Sequence, residues 1–139
     1  MSVTIKNYNK PNGFSTEVFT DPGTKLFYNI IGPMGKGIRP LDHGTHIAFT
    51  AGTGCLVFVD LVAHLLKKNL GTFKIDSTFD DTFKFVFFVS FQKEEDSMGL
   101  ELCRGLEKVC QKKNLKNFEL YVRFSNQKSG RWDKNFLEN

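Results

Sequence analysis

At 139 residues the chain has the length of one ordinary domain. Its 40% apolar and 24% charged residues exclude a disordered chain, no apolar run is long enough for a bilayer span, and the N-terminus lacks a charged-then-apolar leader pattern. A net charge of +4, with no basic strip interleaved with aromatics, gives no sign of nucleic-acid binding. Fifteen Phe predict an aromatic core. Cys55, Cys103 and Cys110 match neither a metal spacing nor an even-numbered disulfide framework, so a reducing, intracellular compartment is expected.

Val3 to Tyr8 alternates as a strand, and residues 9–13 form a turn cluster. Phe14 to Phe19 predicts a short helix with Ser15 as its cap. Leu26 to Ile31 predicts a second strand, running into the irregular loop Gly32 to Gly37. Residues up to about Pro40 therefore read as β-rich. After a boundary near Arg39 to Gly44 the pattern becomes α/β.

Ile47 to Ala51 is a nearly all-apolar run, as expected of a buried parallel strand. Gly52-Thr53-Gly54 ends it. Cys55, Phe58, Val59, Val62, Leu65 and Leu66 then mark one face of a helix over Cys55 to Lys68, with Lys67 and Lys68 favouring its C-terminal dipole. Asp60 and His64, four residues apart, predict a solvated helix pair. Phe83 to Phe91 is aromatic and β-branched throughout, which predicts a central strand covered by helices on both faces. Asp96 or Ser97 is placed to cap the next helix, whose stripe is Leu102, Cys103, Leu106, Val109 and Cys110 and whose end carries Lys112 and Lys113. A third strand is centred on Phe118 to Phe124, and Trp132 to Leu137 predicts a further helix start.

Right-handed crossovers place these three strands side by side and parallel, and with the usual nucleotide-fold winding their spatial order is third, second, first. The fold class expected is α/β, a partial doubly wound parallel sheet over residues 45–139. The first strand then has an open edge, which predicts a protein partner or additional chain to cover it. The turn Gly52 to Gly54 between strand and helix is of the kind whose free N–H groups hold a phosphate. A plain packing turn is the other reading of the same residues.

Taken in order, the segments resemble the ferredoxin reductase-like flavoprotein family, in particular its NADH-cytochrome reductase and ferric reductase branches. Val3-Thr4-Ile5-Lys6 with Gly13-Phe14-Ser15-Thr16 resembles the late flavin-domain strands and the segment that holds the flavin pyrophosphate. Ile31 to Gly37 resembles the loop that closes that barrel. Phe49-Thr50-Ala51-Gly52-Thr53-Gly54 resembles the turn that opens the nicotinamide-nucleotide domain. Phe91 to Asp96 and Arg131-Trp132-Asp133 resemble later segments of that domain. The pattern departs from the family at Val57, where a Pro is usual, and it has no counterpart of the flavin-gripping Arg-x-Tyr-Ser strand or of the Cys-Gly-Pro segment.

The resemblance implies residues 1–40 as the last β-strands of a flavin-type barrel and residues 45–139 as part of an NAD(P)-binding domain. It also implies site residues. Gly52, Thr53, Gly54 and Cys55 would receive the NAD(P)H pyrophosphate. Gly13, Ser15 and Thr16 would contact FAD. Arg123, Ser125 and Arg131 lie around the end of the third strand, where a cationic group would meet a ribose phosphate and so prefer NADPH; ordinary surface arginines are the other reading of the same residues. Cys55 reads in two ways, as a thiolate stabilised at a helix start or as a buried filler. His43 and His46 lack a third ligand nearby, so no metal is expected, and no nucleophile-base constellation is present. Two functions follow: an NAD(P)H-dependent flavin oxidoreductase module, in which bound cofactors carry the chemistry, or a catalytically inactive reductase-like subunit serving as a structural component of a larger assembly.

Overall fold

The computed structural model describes residues 5, 7–21, 23, 29, 31, 37–71, 79–127 and 132. The chain divides into two compact units, Met1–Gly37 and Ile38–Asn139.

In the smaller unit α1 spans Phe14–Thr20. Its N-cap is Gly13, in extended conformation, and no side chain caps the helix. The expectation that Ser15 caps it fails, because Ser15 lies inside the first turn and its Oγ accepts the Tyr8 N–H at 3.3 Å. The two strands expected here fall mostly outside the described residues, and so does the flavin barrel.

The larger unit contains β1 (Thr45–Ala51), a 3-10 helix (Gly52–Phe58), α2 (Val59–Leu70), β2 (Lys84–Phe91), a 3-10 turn (Glu94–Asp96), α3 (Leu100–Lys113) and β3 (Phe118–Phe124). The three strands form one sheet in the order β1-β2-β3, with both pairings parallel. This is the expected order, and β1 lies at an edge of the described sheet.

The core lies between one face of the sheet and the two long helices. Phe85, Phe87, Val89 and Phe91 of β2 and Phe118 of β3 meet Val62 and Leu65 of α2 and Leu100, Cys103, Leu106 and Cys110 of α3. These helix residues recur at three- and four-residue spacing, which puts them on one side of each helix. Aromatic contacts fill the middle: Phe58 lies 5.6 Å from Phe85, and Phe85 lies 5.2 Å from Phe87.

The opposite sheet face departs from expectation. Parallel register aligns Phe49, Phe88 and Tyr121 in one row. Their rings stack at 4.4 Å and 4.6 Å, and Trp132 meets Phe88 edge-on at 5.4 Å. Neither α2 nor α3 packs on this face, since the core residues of both meet the other one. Ile47 is 61% and Phe49 54% exposed, so β1 is not buried on both sides, and β2 is helix-covered on one side only. Two successive right-handed crossovers in one direction put α2 and α3 on the same face, which an apolar run cannot reveal.

A clasp of two side-chain amides ties the amino ends of the strands to the helix ends. Asn69 Nδ2 donates to Asn117 Oδ1 at 3.0 Å, and Asn117 Nδ2 donates to Asn69 Oδ1 at 2.9 Å. Asn69 is the buried polar residue of the described core, and Lys113 Nζ donates to its carbonyl at 2.6 Å. Removing Asn117 leaves Asn69 Oδ1 without its amide donor and Asn69 Nδ2 with only the Cys110 sulfur at 3.2 Å. Asn117→Ala is therefore expected to cost about 1–3 kcal/mol, read as a lower urea midpoint with an unchanged slope. An unchanged midpoint would mean that the clasp adds nothing to stability.

Candidate functional site

β1 delivers the chain to the carboxyl end of the sheet, where open parallel sheets bind ligands. Ala51 is extended (φ −134°, ψ 138°), and Gly52 then takes φ +53°. A Cβ at Gly52 would meet nothing within 4 Å. The need for glycine there is thus a left-handed backbone, not lack of space. Gly52 opens the 3-10 helix, so the early N–H groups of that helix have no helical carbonyl behind them and lie at the positive end of its dipole. Gly54 sits above Thr50, the nearest atom to a Cβ placed there being Thr50 Cβ at 3.9 Å. Thr50 Oγ1 beneath it is buried without a hydrogen-bond partner. Gly52, Thr53 and Gly54 are all partly exposed.

The expected helix over Cys55 to Lys68 is corrected in its first turn. The chain keeps the tighter 3-10 winding through Phe58, and the α-helix runs from Val59 to Leu70. Cys55 is 5% exposed, faces inward and donates its S–H to the Met98 carbonyl at 3.1 Å. Burial pushes its thiol up, so of the two readings of Cys55 the stabilised thiolate is overturned. Only its backbone is available to a ligand at the turn.

Two further loops reach the same end of the sheet. After β2 come Gln92, Lys93 and the acidic turn Glu94–Asp96, where Arg104 Nη1 bonds Glu94 Oε1 at 3.2 Å. After β3, the Ser125 N–H bonds the Phe91 carbonyl at 2.8 Å, and the Asn126 N–H bonds the Gln92 carbonyl at 3.1 Å. The fold therefore brings Ser125 to the end that carries Gly52 to Cys55. Arg123 shares the sheet face of Phe88 and Tyr121, its guanidinium carbon 4.8 Å from the Trp132 ring centre. Arg131 lies outside the described residues. Gly13, Ser15 and Thr16 belong to the smaller unit, where they are engaged locally: the Gly13 N–H bonds the Lys10 carbonyl at 3.0 Å, and Thr16 Oγ1 donates to Asn7 Oδ1 at 3.4 Å.

Other expectations are corrected by packing. α3 is not capped by Asp96 or Ser97. Its N-cap is Gly99 at φ +80°, where a Cβ would lie 3.4 Å from Val59 and 3.8 Å from Leu56. Asp60 and His64 form no ion pair. His64 turns its ring against Phe79, edge-on at 5.3 Å, with Nε2 buried. His46 stacks on Phe83 at 5.0 Å and donates from Nε2 to the His43 carbonyl at 3.0 Å. Among the described residues no three His, Cys, Asp or Glu side chains group as metal ligands.

One cleft escaped sequence reasoning, because its walls come from five separated segments. It lies at the amino ends of the strands, holds about 700 Å³ and is lined in part by Lys68, Lys84, Lys113 and Lys116 together with Asp80 and Asp81. Its lysines are largely committed. Lys68 donates to the Phe79 carbonyl at 2.6 Å, Lys113 to those of Asn69 and Leu70, and Lys84 pairs with Glu119 at 2.5 Å. The carboxyl ends of α2 and α3 also point here with their negative dipole ends. With those helix ends aimed at it, the cleft is electrostatically a poorer home for a phosphate than the glycine turn.

No family model matches the chain, and neither a curated protein nor a solved structure does. No helix among the described residues is long and apolar enough to cross a membrane.

Proposed function

We propose that this chain is an NAD(P)H-binding module of a flavin oxidoreductase, with the cofactor pyrophosphate on the Gly52-Thr53-Gly54 turn. The observation that carries this reading is the turn itself. A left-handed glycine ends an edge strand of a parallel sheet and opens a helix whose first N–H groups have no helical partner. The resemblance of Phe49 to Gly54 to the opening turn of reductase nucleotide domains supports the same assignment.

On this reading the chain binds and orients. Backbone N–H groups at Thr53 and Gly54 and the Thr53 hydroxyl take the pyrophosphate, and the bare Cα of Gly54 lets it approach. Ser125, at the same end of the sheet, lies toward the ribose. The nicotinamide supplies hydride and a flavin accepts it, so the protein needs no nucleophile of its own. Support for FAD at Gly13, Ser15 and Thr16 rests on the sequence likeness alone.

A second reading is favoured by one observation. β1 has a free edge among the described strands, with Ile47 and Phe49 exposed beside it. A retained fold without activity, packed through that edge into a larger assembly, accounts for this equally well.

Calorimetric titration of the purified chain with ADP-ribose, NADH and NADPH separates the two. The oxidoreductase reading expects a dissociation constant in the micromolar range, about 8 kcal/mol of binding free energy. A folded chain that binds none of the three supports the structural subunit instead.

A further inference from the structure

Two of the three cysteines converge from different elements. Cys55 enters from the 3-10 helix that carries the glycine turn, and Cys103 from the first turns of α3. Each is 5% exposed, and both line one small void of about 10 Å³ shared with Val59, Phe87 and Met98. They are close enough that charge on Cys55 helps raise the Cys103 thiol, which burial pushes up to about 11. Cys110 belongs elsewhere. Its sulfur accepts from Asn69 Nδ2 at 3.2 Å, in the amide clasp at the other end of α3. It lies seven positions further along the helix than Cys103, about 10.5 Å of rise, beyond the roughly 7 Å Cα separation that a disulfide can bridge.

We propose that Cys55 and Cys103 are a site of oxidative modification, forming a reversible intramolecular disulfide that ties the glycine-turn helix to α3. The oxidant is a peroxide. One thiolate attacks a peroxide oxygen, the O–O bond breaks, and a sulfenic acid and one water result. The second thiol displaces the sulfenic hydroxyl as a second water, and the S–S bond forms. The two sulfurs give up two electrons, and two thiols with one hydrogen peroxide yield one disulfide and two waters. A dithiol reductant reverses the step by exchange. Neither the Cys55 S–H nor its bond to the Met98 carbonyl survives oxidation, so the entry to α3 loses a contact as the new link forms. Burial keeps both sulfurs as thiols at neutral pH, so the pair resists mild oxidation and reacts faster as pH rises.

The disulfide stands apart from the nucleotide reading; its effect on the turn rests on that reading. The test is a peptide map of the full chain after hydrogen peroxide, run natively and in concentrated guanidinium. The native chain is expected to yield a Cys55–Cys103 linkage that dithiothreitol removes. The unfolded chain is expected to favour Cys103–Cys110, since the shorter loop closes more readily. Cys110→Ser keeps the native linkage and Cys103→Ser loses it. If Cys103→Ser does not fold, the wild-type native map still decides. Three free thiols in the native chain, at a peroxide concentration that oxidises the unfolded one, overturn the proposal, as does a native link through Cys110. Where the reduced chain binds ADP-ribose, the linked form is expected to bind it at least tenfold more weakly. Equal affinity overturns the coupling to the turn. A reduced chain that binds no ADP-ribose fails the nucleotide reading, and the map still decides the disulfide.

Discussion

Phe85→Ala is expected to cost about 3–5 kcal/mol, a large share of the about 5–15 kcal/mol by which folded domains are usually stable. Phe85, the second residue of β2, is 1% exposed. Its ring lies among Phe58, Phe87 and Phe118, with centroids at 5.6, 5.2 and 6.0 Å. Its N–H bonds the Asn117 carbonyl at 2.9 Å, so the strand cannot shift freely to close the cavity. Phe49→Ala provides the contrast. Phe49 is 54% exposed and loses chiefly its stack on Phe88, worth about 0.5–1.5 kcal/mol. Urea unfolding of both variants checks the pair. Similar midpoints would place the core on the wrong face of the sheet.

Gly54→Val is expected to keep the fold and lower ADP-ribose affinity at least tenfold, a loss of about 1.4 kcal/mol or more. The reasoning is steric. A Cβ at Gly54 meets only Thr50 Cβ, at an ordinary 3.9 Å, so the added side chain crowds the approach to the turn and not the protein beneath. Gly52 is the poorer test position. At φ +53° any side chain strains the backbone by about 1–2 kcal/mol, and a loss of binding would be confounded with a change of shape. Thermal melting beside calorimetry reads both effects. Wild-type affinity in a folded Gly54→Val chain would remove the turn as the site.

What the sequence discloses follows from which interactions are local. The run Phe83 to Phe91 announces β2, and the stripe through Cys103, Leu106 and Cys110 announces α3, because periodicity is written in neighbouring residues. The expected strand order follows from the usual winding of nucleotide folds, whereas handedness fixes only the face that each crossover helix covers. The ends of elements are less legible. Asp96 and Ser97 have the chemistry of caps. Even so, α3 starts after Gly99, because the chain enters the helix there through a left-handed backbone at φ +80°, which favours glycine. Ser15 fails as a cap for a related reason, since Gly13 already supplies the extended residue before the helix.

Properties set across the fold are silent in the sequence. The apolar run of β1 reads as doubly buried, yet Ile47 and Phe49 face away from both crossover helices. Asp60 and His64 are spaced as a helix pair, and a ring from another segment, Phe79, claims the imidazole instead. The approach of Cys55 to Cys103 spans 48 residues of chain and becomes visible only when α2 and α3 lie side by side. The glycine turn is the exception. Its composition, its place after a strand and its left-handed Gly52 all agree, which is why the functional reading rests there.

The most direct test of that reading is an amide-shift map of the nitrogen-labelled chain titrated with ADP-ribose. The account predicts that the largest shifts fall on the amides of Gly52, Thr53, Gly54 and Cys55, with smaller ones at Ser125. Shifts confined to Lys68, Lys84, Lys113 and Lys116 at the opposite end of the sheet, or no shifts from a folded chain, would contradict it.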